Sequence, residues 1–181
     1  MVYVFLADGF EEIEALTPID VLRRGEVEVK TVGVKGNVIT GSHGIPVTCD
    51  ITDSEINLDD IDAVILPGGM PGTLNLEKSK IVNEVIDYAY NNSRIIGAIC
   101  AAPSILGKKG FLSGKNATCY DGFEKYLTGA RFLDLPAVRD GQIITARGAG
   151  AASDFAFMLL TALKDKQTAH KILRGMKYIS G

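Results

Sequence analysis

Short β-branched and apolar runs alternate along this chain with segments of helical period. That alternation leaves few ways to pair the backbone and bury the apolar faces at once. The pattern predicts a strand near Val2 to Ala7, a helix near Glu11 to Arg24 and a strand near Glu28 to Val34. It resumes with a buried strand from Asp62 to Leu66, a turn at Pro67 to Gly72, a helix from about Ser79 to Tyr90 and the apolar run Ile95 to Ile99. This order marks an α/β fold with a mostly parallel central sheet and helices on both faces. Between Asn37 and Asp50 short β-branched pieces set off by Gly36, Gly41 and Gly44 read instead as a small β-hairpin or irregular strand pair. Asn116 to Cys119 is a short strand, Ala137 to Ala146 a hairpin turning at Asp140-Gly141, and Ala151 to Leu163 and Lys166 to Met176 are helices. Pro18 falls inside the first helix, where its missing N–H is expected to kink or break it.

The chain has 181 residues, the size of one domain, and residues 1–181 are read as one. A net charge of −3 without long runs of one sign recommends neither nucleic acid nor an anionic membrane as partner. The apolar runs are short, and Met1 to Leu6 lacks the basic start of a secretory signal, so a cytoplasmic location is expected. Three cysteines, Cys49, Cys100 and Cys119, form no C-x-x-C pair and leave one over, which argues against a disulfide framework and a zinc site.

Cys100 stands between the strand ending at Ile99 and a segment, Ala101 to Leu106, that starts like a helix with Pro103 at an early position. Unpaired N–H groups and the positive end of the helix dipole there favour a thiolate nucleophile. The same pattern also fits a small apolar residue packed at the end of a core strand. Three loops open on the edge of the sheet that carries Cys100: Asp8 to Glu14, the Gly68-Gly69 turn and the cysteine elbow. Glu11 and Glu12 suit the dipole of the first helix without further role. Glu14, one turn on, shares a face with Glu11 but also with Phe10 and Pro18, which would turn it inward. Near a thiolate it would keep its proton, because two anions in a poorly solvated site do not coexist cheaply. A backbone N–H of the Gly68-Gly69 turn and that of Ala101 would form an oxyanion hole. Arg147 to Ser153 reads as a packing turn, since its G-x-G pattern lacks the rest of a dinucleotide site. His43, in the hairpin, and His170, in the last helix, supply no cysteine–histidine dyad.

Together, Leu6 to Glu14, Val64 to Gly69, Ala98 to Pro103 and Ile144 to Gly148 resemble the ThiJ/PfpI superfamily, and within it the branch named for the parkinsonism-associated deglycase. The resemblance implies a flavodoxin-like sandwich, a homodimer and a reactive Cys100 on a strained elbow. It implies a protonated Glu14 bonded to that sulfur, backbone donors at Gly69 and Ala101, and no cofactor or metal. Two departures stand out. Tyr120 occupies a position where the best-known member has histidine, and Ala101 occupies the position where the protease-like branch has its histidine, which argues against a peptidase. Arg23 and Arg24 match an arginine pair at the dimer contact, and His43 matches an arginine that would reach the neighbouring subunit's pocket.

The implied activity is cofactor-free glyoxalase or deglycase chemistry on small reactive carbonyls such as methylglyoxal, or on their early adducts. The alternative is an oxidative-stress sensor or redox-regulated chaperone in which Cys100 becomes a sulfinate. A third reading is an interaction module whose cysteine is incidental. Cys119 is either core or, lying beside Tyr120, a resolving thiol.

Overall fold

The computed structural model describes residues 1–178. Its centre is a seven-stranded sheet built from β1 (Val2–Leu6), β2 (Val29–Gly33), β5 (Ile51–Thr52), β6 (Ala63–Leu66), β7 (Ile95–Ile99), β10 (Ala137–Asp140) and β11 (Ile143–Ala146). The spatial order is β10-β11-β7-β6-β1-β2-β5, every neighbouring pair parallel except β10 with β11. Strands covered on both faces have no solvated side, which is why β1 and β6 read as unbroken apolar runs and are buried at every position. The predicted α/β architecture is therefore present, with the small antiparallel hairpin β3 (Val38–Thr40) and β4 (Pro46–Thr48) set outside the sheet.

Two cores flank the sheet. One joins α1 (Glu12–Arg24) and α5 (Ala152–Leu163) through Ile19, Leu22, Phe155 and Leu159. The other joins α2 (Gly72–Lys78), α3 (Lys80–Asn91) and α4 (Pro103–Lys108) through Leu76, Val82, Ile86 and Leu106. The chain closes with α6 (Lys166–Gly175). No helix among the described residues is long and apolar enough to cross a membrane.

Several local expectations change. Helix α1 runs through Pro18 without a break; the one hydrogen bond that Pro18 removes is outweighed by burial of the flanking Ala15, Ile19 and Leu22. The end of the Pro67–Gly72 turn passes directly into α2, which the sequence does not announce. The strand expected at Asn116 to Cys119 shrinks to β8 (Asn116–Ala117), paired with β9 (Arg131–Phe132), and leaves Cys119 beyond it.

Winding direction reverses beside β1: the chain moves to β2 on one side, then returns to β6 and β7 on the other. At such a switch point the loops after adjacent strands splay apart and leave a crevice at their carboxyl ends. The loops after β1, β6 and β7 meet there, and they carry Glu11 to Glu14, Gly68-Gly69 and Cys100.

Candidate active site

Cys100 leaves β7 with φ of +65°, a left-handed conformation that costs a residue with a Cβ and persists only where its surroundings enforce it. Those surroundings are backbone: the Cys100 N–H donates to the Ala146 carbonyl at 2.8 Å, and its own carbonyl accepts from the Tyr120 N–H at 2.9 Å. Helix α4 begins only at Pro103 and has six residues, so Ala101 lies in a turn before it and not at a helix N-terminus as the sequence suggests.

Glu14 faces inward from α1 on the stripe it shares with Pro18 and Val21, and is 1% exposed. Its Oε2 accepts the Gly68 N–H at 2.9 Å, and its carboxyl shares a hydrogen bond with the Cys100 sulfur. The amides of Gly69 and Ala101 also hydrogen-bond that sulfur. Glycine is required at the crossing. A Cβ on Gly68 would lie 2.6 Å from both the Cys100 Cβ and Glu14 Oε2, and Gly69 has φ of +86°. The structure thus brings together Cys100, Glu14, Gly69 and Ala101.

Burial pushes the Glu14 carboxyl from its ordinary 4.5 up to about 7, with the Glu11 charge adding to the rise and the bonds to Cys100 and Gly68 opposing it. Burial and then the Glu14 charge push the Cys100 thiol up to about 12, against the pull of the Gly69 and Ala101 amides. Helix α4 starts too late to place its dipole on the sulfur as the sequence suggests, and the sulfur sits instead in a dry site beside an acid, which favours the thiol over the thiolate. Sulfur and carboxyl instead act as one coupled acid that loses its first proton near neutrality and holds the second.

The remaining candidates are distributed as follows. Tyr120 is half exposed, with its ring against Gly148; a Cβ on Gly148 would lie 3.3 Å from that ring and 4.0 Å from Glu14 Oε1. The turn that the sequence assigns to packing is therefore a wall of the site. Cys119 is buried in the core on the other side of the sheet from the cluster Cys100 packs against, and burial and then the Glu124 and Asp121 charges push its thiol up to about 12. All three cysteines are free. Arg24 pairs with Asp20 at 2.6 Å and Arg23 with Asp50 at 2.6 Å. Both lie at the far end of α1, about 15 Å along the helix from Glu14 at 1.5 Å per residue.

His43 is tied to its own chain, its Nδ1 lying 2.9 Å from Glu12 Oε2. Glu12 is the residue that the sequence analysis misses. It is 5% exposed, and its Oε1 accepts the His43 N–H at 2.8 Å and the Ile45 N–H at 3.5 Å, so one carboxylate fastens the hairpin tip to the start of α1. Burial raises that carboxyl, but bonds from the His43 ring and from the amides of Glu12, His43 and Ile45 outweigh it and bring it to about 2. A signal was present: Glu12 falls on the same stripe as the buried Ala15, Ile19 and Leu22. Glu11, Glu12 and His43 bring three metal-ligating atoms within 4.8 Å of one another, but all are engaged in this fastening.

Residues 1–162 match the family model described as "DJ-1/PfpI family". The chain is 33% identical over 176 residues to Protein dj-1beta of Drosophila melanogaster, covering 96% of this chain and 94% of that one. The crystal structure of Drosophila DJ-1beta superposes with a TM-score of 0.94 at 32% identity over 99% of this chain and 98% of that chain. A deglycase of Pyrococcus abyssi is 32% identical over 152 residues, 82% of this chain and 90% of that one. A structure of Toxoplasma gondii DJ-1 described as oxidized gives a TM-score of 0.94 at 30% identity, covering 99% and 98% of the two chains.

The raised pKa of Glu14 makes it a pH-dependent cost. The folded protein holds this proton more tightly than the unfolded chain, so its stabilising contribution is complete below pH 4.5 and is lost as pH rises through about 7. Denaturant unfolding of Glu14→Gln against wild type is expected to show the variant gaining relative stability between these limits, by roughly 3 kcal/mol at full effect. An equal difference at pH 4 and pH 8 contradicts the assignment.

Proposed function

Because the chain belongs to the DJ-1/PfpI family, we propose that it removes small reactive carbonyls with Cys100 as nucleophile and Glu14 as proton carrier. The observation that carries this reading is the buried hydrogen bond between the Cys100 sulfur and a carboxyl group raised to about 7. As the sulfur adds to the aldehyde carbon of methylglyoxal, its proton passes to the ionised Glu14 and from there to the carbonyl oxygen, giving a hemithioacetal and leaving Glu14 ionised again. Glu14 then removes the C1 proton to form an enediol-like intermediate and returns a proton to C2. The result is a lactoyl thioester, which water hydrolyses to lactate and free thiol. The steps need neither metal nor nucleotide, and oxidation at C1 balances reduction at C2. The Gly69 and Ala101 amides stabilise negative charge on the sulfur, and Tyr120 stands at the rim as a second hydroxyl donor. The relative described as a deglycase supports extension to early carbonyl adducts of amines.

A second reading has Cys100 serve as a sensor. Peroxide would oxidise it to a sulfinate held by the protonated Glu14. The relative described as oxidized supports it, and one sulfur serves both purposes.

The working unit in this proposal is a homodimer in a reducing cytoplasm, where Cys49, Cys100 and Cys119 stay unpaired. Ile13 and Leu16 on α1 and Val38 and Ile45 in the hairpin are 54%, 38%, 59% and 51% exposed. The Glu12 fastening makes helix and hairpin one surface, which a second copy would cover.

Purified protein is expected to convert methylglyoxal to lactate without glutathione, with a rate that rises with pH through about 7 as the pair loses its first proton. Cys100→Ser and Glu14→Gln should each lose at least ~100-fold in kcat/KM, the scale of a missing proton-transfer group; undiminished turnover in either contradicts the mechanism. Light scattering should give twice the mass of one chain for wild type and a lower mass for Leu16→Asp, whereas a monomeric wild type removes the dimer.

A further inference from the structure

Gly148 is buried although Arg147 before it and Gly150 after it are exposed, so something lies over it. The atoms nearest the position of its absent side chain are Cδ2 and Cε2 of the Tyr120 ring, at 3.3 and 3.7 Å, and then Glu14 Oε1 at 4.0 Å. A single carbon atom at that point would therefore touch both the ring and the carboxyl. Glu14 itself is 1% exposed and Tyr120 53% exposed. From the interior outward the order is acid, glycine and ring, with the outer side of the ring in water. Glu14 Oε2 is held by the Gly68 amide, so Oε1 is the oxygen on the ring's side.

The backbone does not require glycine here. Gly148 has φ of 162°, an extended conformation that any residue adopts, unlike Gly69. What its missing side chain supplies is close approach: a methyl group 3.3 Å from Cδ2 would lift the ring by a few tenths of an ångström. The Tyr120 backbone is fixed on both sides, its N–H donating to the Cys100 carbonyl at 2.9 Å and its carbonyl accepting from the Phe123 N–H at 3.0 Å. Motion of the ring is therefore confined to its own side-chain torsions, which in exposed residues turn over within nanoseconds.

We propose that the Tyr120 ring is a lid that closes on Gly148 over the solvent side of Glu14. Closed, it excludes water from the acid; swung out, it makes room for the group that a substrate carries beyond its reacting carbonyl. Opening then costs bulky substrates more than methylglyoxal, which makes Tyr120 a positioning and specificity residue through its ring, whatever its hydroxyl does. The inference rests on Cys100 and Glu14 being the reacting pair, as proposed above. Burial is first among the causes that raise the Glu14 carboxyl, so a change in what covers it is read directly in its titration.

The test uses the full-length protein and does not depend on turnover. Alkylation of Cys100 by iodoacetamide and by the bulkier N-phenyl-iodoacetamide is followed by mass spectrometry, each rate divided by that of the same reagent with glutathione. Tyr120→Ala is expected to raise the ratio of bulky to small reagent by roughly two- to ten-fold, the scale of freeing or fixing one side chain. The same variant should lower the ¹³C NMR midpoint of the Glu14 carboxyl from about 7, by roughly one pH unit. Tyr120→Ser, a second truncation, should match it, and Tyr120→Phe, which restores the ring, should return both readouts to wild-type values. A ratio and midpoint unmoved by the truncations, or moved as far by Tyr120→Phe, overturn the lid even where methylglyoxal is consumed. The expected shifts in a protein that leaves methylglyoxal intact keep the lid and overturn the glyoxalase reading.

Discussion

The site depends on one close approach: the Gly68 backbone lies against both Cys100 and the carboxyl of Glu14, where any side chain would collide with the two of them. Three elements must arrive together for this. Helix α1 turns Glu14 inward, the loop after β6 supplies the Gly68 and Gly69 amides, and the turn after β7 holds Cys100 in a left-handed conformation. Each comes from a different strand end, and the switch point beside β1 brings those ends to one crevice. The fold contributes geometry, and burial converts that geometry into shared proton chemistry.

That chemistry differs from a cysteine activated by a helix dipole. In a dry site the sulfur does not ionise alone, and its partner keeps a proton to about neutral pH. Reactivity then comes from moving a proton a short distance between two heavy atoms as a bond forms to carbon, a step that avoids creating two buried charges. The two amides facing the sulfur matter most while charge is on it, and Glu14 is the acid that shares a hydrogen bond with it.

Much of this was legible in the chain itself. The alternation of strand-like and helical segments contained the parallel sheet, because the periods of 2 and 3.6 are set by the same burial that makes the layers. Glu14 could be found from its stripe with Pro18 and Val21. Glu12 lies on the stripe of Ala15, Ile19 and Leu22, but an acid in the first turn of a helix already has an explanation in the dipole, which hides its second role. Other features exist only in three dimensions. The late start of α4 and the approach of Gly148 to Tyr120 depend on packing between segments far apart in sequence. The same holds for the thiol: its neighbours in sequence suggested a lowered pKa, and its neighbours in space raise it.

The most direct measurement of the shared-proton account is a ¹³C NMR titration of the Glu14 side-chain carboxyl in the intact protein. The account predicts a midpoint near 7, with the carboxyl still largely protonated at pH 6. A midpoint at the ordinary 4.5 of an exposed glutamate would contradict it.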